Sequence, residues 1–468
     1  MNKFFISHII ALLLVCNTQL SASQRAISSL KDTWVTVFVH GSFSLKPHLT
    51  FGNAINVIFD RIENSVYYRS TEINRRDHFF YKNQVMLGLG LQRIDFKNPN
   101  KLEAARIIAA TYETVSQYAG NAPSDEYYAF GWSGLVSHKL RYLEAGILYD
   151  QLSQLNKKLI AAGKNPKFRV ISYSHGGTLS IQLGAIHITK NPSEQFFIDE
   201  LYLNGTPIQI ETDYLINSPV FKKVYNIYSK ADSIQKLDFF SFKRFFSRRK
   251  FENRNNFKLP EKLTQISLNI VDYTPKNVTS TIPFPRDEKT LRKHFRKCTY
   301  DPGHFELWFM GWTILSYRKD FPFNPLPIIN FLPIIIKDLD KDPNISKDII
   351  VKILPYKETM EIYNYKKLVK LTMVAQKPFL TKKALDELKI TALQFEPVDY
   401  NLETYNRKMY DAITIAQYEY DQLNKLKVEE FKNIKKEKQK NQEPSYKKNV
   451  VNLQKKERHF QGFLTNEI

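Results

Sequence analysis

Short runs of β-branched and aromatic residues recur along the first 271 positions, and stretches with helical periodicity lie between them. The strand-like runs are 34–39 (WVTVFV), 127–132 (YYAFGW), 168–173 (FRVISY), 200–203, 224–228 (VYNIY) and 265–271 (QISLNIV). They are nearly continuous rather than alternating in polarity. Strands buried on both faces, as in a parallel sheet, have that pattern. Parallel neighbours need long crossovers, usually helical. Helical periodicity is found at 101–118, 138–162 and 178–190. In the second of these, Leu140, Leu143, Ile147, Leu148, Leu152, Leu155 and Leu159 are expected to share one buried face. The alternation predicts an α/β fold with a mostly parallel central sheet and helices on both faces.

Composition supports a folded chain. Apolar residues make up 43% and aromatics 13%, enough for a sizeable core. The net charge is +21, from 68 Lys and Arg against 47 Asp and Glu. Such an excess favours an anionic partner such as a lipid surface, although a Lys- and Asn-rich composition alone produces the same count. Two cysteines, Cys16 and Cys298, give no zinc pattern. Gly88 and Gly90 lack the third glycine of a dinucleotide fingerprint.

The beginning of the chain has the form of a secretory signal: Lys3, an apolar run over 4–16, then small residues Ser21 and Ser23. Cleavage is expected near residue 23, giving an exported protein. The run is shorter than the ~20 residues a membrane span needs. Residues 24–320 are expected to form the main domain. Within it, 238–260 (DFFSFKRFFSRRKFENRNNFKLP) interleaves Phe with basic residues and suits a lid lying on lipid, or a solvated excursion packed by its own Phe residues. Pro322, Pro325, Pro327 and Pro333 suggest a linker or wrapping loop. An accessory, mostly helical segment is expected over 321–424, and a Lys-rich tail over 425–468 that is either a fraying helix or disordered.

The residues that carry chemistry start at Ser172-Tyr173-Ser174-His175-Gly176-Gly177, which follows a strand and opens a helix. A sharp strand-to-helix turn lifts one serine above the sheet edge and needs small residues two before and two after it, the G-x-S-x-G pattern. Ser172 replaces the first Gly and Gly176 keeps the second. Ser174 is therefore the candidate nucleophile. Upstream, Val37-Phe38-Val39-His40-Gly41-Ser42-Phe43 ends a strand in His-Gly. Acyl-transfer hydrolases hold the developing oxyanion with the backbone N–H after the nucleophile and another from an early loop. Here those are His175 and either Ser42 or Phe43. His40 itself is as readily a buried histidine satisfied by backbone groups.

With these motifs, and with Phe130-Gly131-Trp132-Ser133-Gly134 ending the strand before the nucleophile strand, the chain resembles the α/β-hydrolase superfamily. The likeness is to lipase- and esterase-like serine hydrolases, over roughly 33–315. The resemblance implies the order Ser, acid, His. Asp232, in a short loop after 224–228, fits the acid, with Asp238 and Asp272 as alternatives. His304, in Asp301-Pro302-Gly303-His304-Phe305, fits the base, with His294 as alternative. It implies hydrolysis of carboxylic esters, including lipids, through an acyl-serine, with no metal, organic cofactor or nucleic-acid partner. A hydrophobic ester is the expected substrate and an anionic membrane surface a possible partner. The competing expectation is a non-catalytic, exported binding protein of the same fold that grips anionic surfaces; peptidase or acyltransferase chemistry on the same triad also stays open.

Overall fold

The computed structural model describes residues 32–42, 62–63, 65–95, 103–121, 124–190, 196–236, 247–271, 299–314, 317–365 and 372–464, with side chains described up to 438 and not at 299–300. The proposed signal 1–23, Phe43, Asp238, Asp272 and His294 lie outside these residues.

One mixed sheet of 11 strands organises the chain. Its strands are β1 (Asp32–Val39), β2 (Gly90–Arg93), β3 (Glu126–Gly131), β4 (Asn165–Tyr173), β5 (Ile198–Asn204), β6 (Phe221–Tyr228), β7 (Leu263–Val271), β8 (Thr299–Tyr300), β9 (Asp348–Leu354), β10 (Thr359–Asn364) and β11 (Thr372–Pro378). The path across it is β11-β10-β9-β7-β6-β5-β4-β1-β3-β2, with β8 pairing β7 off that path. From β3 to β9 every neighbour on the path is parallel; β2, β8, β10 and β11 are antiparallel additions. The helices are α1 (Val66–Arg75), α2 (Ala104–Tyr118), α3 (His138–Ala161), α4 (His175–Thr189), α5 (Leu332–Ile336), α6 (Lys382–Leu393) and α7 (Leu402–Leu464).

The α/β class read from the alternation is correct, and the two-period of the strands explains the layers. Val35, Val37 and Val39 of β1 face a core shared with α3 and α4, whereas Phe38 faces the opposite core, shared with α2 and the segment 321–345. Each of the six sequence runs maps onto a strand of the sheet.

Three expectations change. The helix α3 does not bury one continuous face: Leu148, Leu152 and Leu159 are buried, but Leu143 and Ile147 are 52% and 49% exposed. Its apolar residues are spread around the helix, so spacing alone could not choose the buried side. The break expected at 320 is absent, because β9 pairs with β7 and carries the same sheet onward. The prolines there do not form a free linker; Phe321, Phe323, Leu326 and Ile328 around them are core. Residues 247–260 of the expected lid are also core at their aromatic positions, with Phe251 1% and Phe257 3% exposed. Residues 237–246, the Phe-richest part, lie outside the described residues.

Candidate active site

The strand register brings four chain segments to one place. Val39 of β1 pairs with Ser172 of β4, Tyr173 of β4 with Asn204 of β5, and Asn204 with Ile227 of β6. The loops after β1, β4, β5 and β6 therefore emerge side by side at the carboxyl ends of the parallel strands. Open α/β sheets bind their ligands at that edge.

Ser174 occupies the turn between β4 and α4 with φ 50° and ψ −128°. A non-glycine residue there is strained by on the order of 1–3 kcal/mol, and the surroundings must impose it. Its N–H donates to Asn204 O at 2.9 Å and its carbonyl accepts from Gly177 N–H at 2.9 Å. The helix start crowds β1 so closely that a Cβ on Gly176 would fall onto the His40 carbonyl oxygen and within 2.8 Å of Val39 O. That crowding explains the second glycine of the motif. The first position tolerates serine because Ser172 Oγ turns inward to donate to Ser180 Oγ at 2.7 Å.

Ser174, Asp232 and His304 meet. His304 Nε2 lies 3.0 Å from Ser174 Oγ, and its Nδ1 lies 2.7 Å from Asp232 Oδ2. The carboxylate can only accept, so Nδ1 carries the proton and Nε2 is left to accept from the serine hydroxyl. All three side chains are buried, Asp232 completely. Asp232 is anchored twice more: Oδ1 accepts from Gln235 N–H at 3.0 Å, and its backbone oxygen accepts from Arg249 Nε at 2.8 Å. Arg249 belongs to the segment expected to be a lid, so part of that segment steadies the acid loop instead.

His304 precedes a 3-10 turn, Phe305–Leu307. Its ring lies over Tyr173, 4.7 Å between centroids, and Tyr173 Oη donates to His304 O at 3.0 Å. Tyr173 in turn stacks on Trp308. Burial, then the charges of Asp232 and Glu306, push the Tyr173 phenol well above its ordinary value, so it stays a neutral donor. Glu306 Oε1 accepts from the Arg318 backbone N–H and Nε, at 3.0 and 3.1 Å, and Arg318 Nη2 donates to Asp301 O. These bonds tie down the loop that bears the imidazole. Gly205, at φ 58°, faces Asp232 and His304; a Cβ there would sit 3.0 Å from Asp232 Oδ2.

The upstream loop reaches the same point. A Cβ on Gly41 would be 2.9 Å from Ser174 Cβ. Ser42 Oγ and His175 Nδ1 are hydrogen-bonded at 3.0 Å, clipping the two expected oxyanion residues together. The His175 N–H is the first of α4, where amides have no intrahelical acceptor and the helix dipole favours negative charge.

His40 is structural. Its Nδ1 donates to Gly41 O at 2.6 Å, so Nε2 accepts from Trp132 N–H at 3.2 Å and faces Arg75 Nη1 at 3.2 Å. Trp132 Nε1 also donates to His40 O at 2.8 Å, and the two rings stack. Burial and then the Arg75 guanidinium hold the imidazole well below its usual value, that is, neutral. Burial also lowers Arg75, to about 10. Among the described residues no group of His, Cys, Asp and Glu is arranged to hold a metal ion.

Sequence reasoning named Ser174, Asp232, His304, Ser42 and His175. It did not find Tyr173, Gly205, Gln235, Arg249 or Arg75. Tyr173 and Gly205 adjoin strand ends and could have been suspected; Arg249 and Arg75 arrive from distant segments, with no local signal. No protein-family model matches the sequence, and no curated protein matches it.

Proposed function

We propose that the chain is a serine hydrolase of the α/β-hydrolase fold that cleaves carboxylic esters through an acyl-serine intermediate. The observation that carries this is the hydrogen-bonded series Ser174–His304–Asp232 built on a strained strand-to-helix turn. Its order along the chain, Ser then Asp then His, is that of α/β-hydrolases. The antiparallel β2 beside a parallel run, with the serine turn near the middle of the sheet, supports the same fold.

In this mechanism Ser174 Oγ attacks the ester carbonyl carbon while its proton passes to His304 Nε2. Asp232 keeps Nδ1 protonated and stabilises the imidazolium. The carbonyl electrons move onto oxygen, where the His175 N–H and the N–H of Ser42 or Phe43 receive the charge. As the C–O bond breaks, His304 returns its proton to the leaving alcohol. Water then attacks the acyl-serine while His304 takes its proton; the bond between the acyl carbon and Ser174 Oγ breaks, the carboxylic acid leaves, and His304 returns the proton to Ser174 Oγ. A serine hydroxyl needs such a base because it is a weak nucleophile at neutral pH.

The substrate we favour is a hydrophobic ester or lipid, on the strength of the partly exposed Phe305 ring beside His304. Export, read from residues 1–23, belongs to the same proposal; exported material that still begins at Met1 would overturn it. The mechanism is tested by turnover of soluble aryl esters. Ser174→Ala and His304→Ala should each lower kcat by on the order of 10⁴-fold or more, and the double variant little further, because the members act as a unit. Additive losses, or a Ser174→Ala variant with ordinary turnover, would refute the assignment. A wild type without ester turnover and without a reactive serine would point to the binding protein instead.

A further inference from the structure

The C-terminal helix α7 changes character along its length. Its first turns pack on the domain: Tyr405, Ala412 and Ala416 are buried, Tyr405 meets Phe80 at 5.5 Å, and Met409 Sδ accepts from Asn74 Nδ2. Glu419 pairs with Arg69 of α1, and Lys408 with Asp77. Beyond that point the apolar side chains no longer have a core to enter. Leu423, Leu426, Val428, Phe431 and Ile434 are 48%, 61%, 53%, 75% and 43% exposed. Positions 420, 423, 427, 431, 434 and 438 recur every three or four residues, so they form one stripe: Tyr420, Leu423, Lys427, Phe431, Ile434 and Lys438. Lys425, Lys432, Lys435 and Lys436 lie among or beside them, against Glu429, Glu430 and Glu437.

We propose that this stretch, Leu423 to Lys438, is a docking surface for an anionic lipid bilayer. Two features select that occupant. Exposed Phe, Leu and Ile can sink into the headgroup boundary while lysines extend their stems and keep the ammonium at the phosphates. The excess of six lysines over three glutamates matches the negative surface potential of such a membrane. A second copy of the helix suits the stripe poorly, because Lys427 and Lys438 interrupt it and would bring like charges into a paired seam. The surface stands apart from the ester chemistry and does not depend on it.

The test is co-sedimentation of the full-length protein with vesicles of phosphatidylcholine alone or mixed with phosphatidylglycerol. Wild type should bind the anionic vesicles at least tenfold more tightly than the neutral ones, and added salt should release it. Lys427→Gln/Lys435→Gln and, separately, Leu423→Ser/Phe431→Ser should each weaken that binding by on the order of tenfold or more. Their thermal transitions should match the wild type, since these side chains contact no core. Equal binding to both vesicle types, or unchanged binding in both double variants, would overturn the proposal. So would a concentration-dependent dimer that Phe431→Ser dissolves without any vesicle binding, which would assign the surface to a second copy.

Discussion

At the residue scale the site depends on which tautomer each histidine holds. His304 is protonated on Nδ1 because Asp232 sits there, and that leaves Nε2 to the serine. His40 is protonated on Nδ1 because the Gly41 carbonyl sits there, and its Nε2 already faces two donors. Burial, and then the Arg75 guanidinium, disfavour a second proton on His40, so its folded-state pKa is depressed. The sign follows: its contribution to stability is fully present above pH 6.5, the ordinary imidazole value, and is lost as the pH falls toward the depressed folded value. Urea unfolding at a series of pH values checks this. Wild type should lose stability as the pH falls below 6.5. His40→Gln should be weaker at pH 8 by about 1–3 kcal/mol, from partners left buried, yet lose less on acidification. An identical pH slope in the two proteins would contradict the assignment.

Among the elements, what was legible in the sequence was whatever local chemistry dictates. The six strands announced themselves because strands buried on both faces are apolar throughout, and the turn at Ser174 because crowding there admits only small neighbours. The later strands β9, β10 and β11 were hidden behind a Pro-rich stretch and a change of composition; their place is fixed by pairing to β7, a contact no local pattern encodes. The same holds for the segment after Asp232. Phe residues among Lys and Arg read as an interface, yet Phe251 and Phe257 join the core beside β6 and β7, and Gln265 bonds the Phe251 backbone in both directions. Phe251→Ala should therefore lower the stability of the whole domain by about 3–5 kcal/mol, as core Phe losses do. Denaturant unfolding measures it. A variant with an unchanged midpoint and altered turnover on dispersed lipid would instead restore the lid.

Taken as a whole, the molecule gathers Ser174, His304 and Asp232 at one edge of the sheet and carries a basic, partly apolar helix at the end of the described chain. Helix α1 links the two: Arg75 at its C-terminus faces His40 beside the loop carrying Ser42, and α7 packs along it through Asn74 and Arg69. None of the described helices is long and apolar enough to cross a membrane. The central claim is that one serine of this chain is activated, and that it is Ser174. A fluorophosphonate probe measures that directly, since it reacts with a serine whose proton a neighbouring base removes. Incubation of the folded protein with the probe, followed by peptide mass spectrometry, should place a single phosphonyl adduct on Ser174, abolished in Ser174→Ala and strongly slowed in His304→Ala. An adduct on a different serine, or labelling of the folded wild type at no serine, would contradict the account.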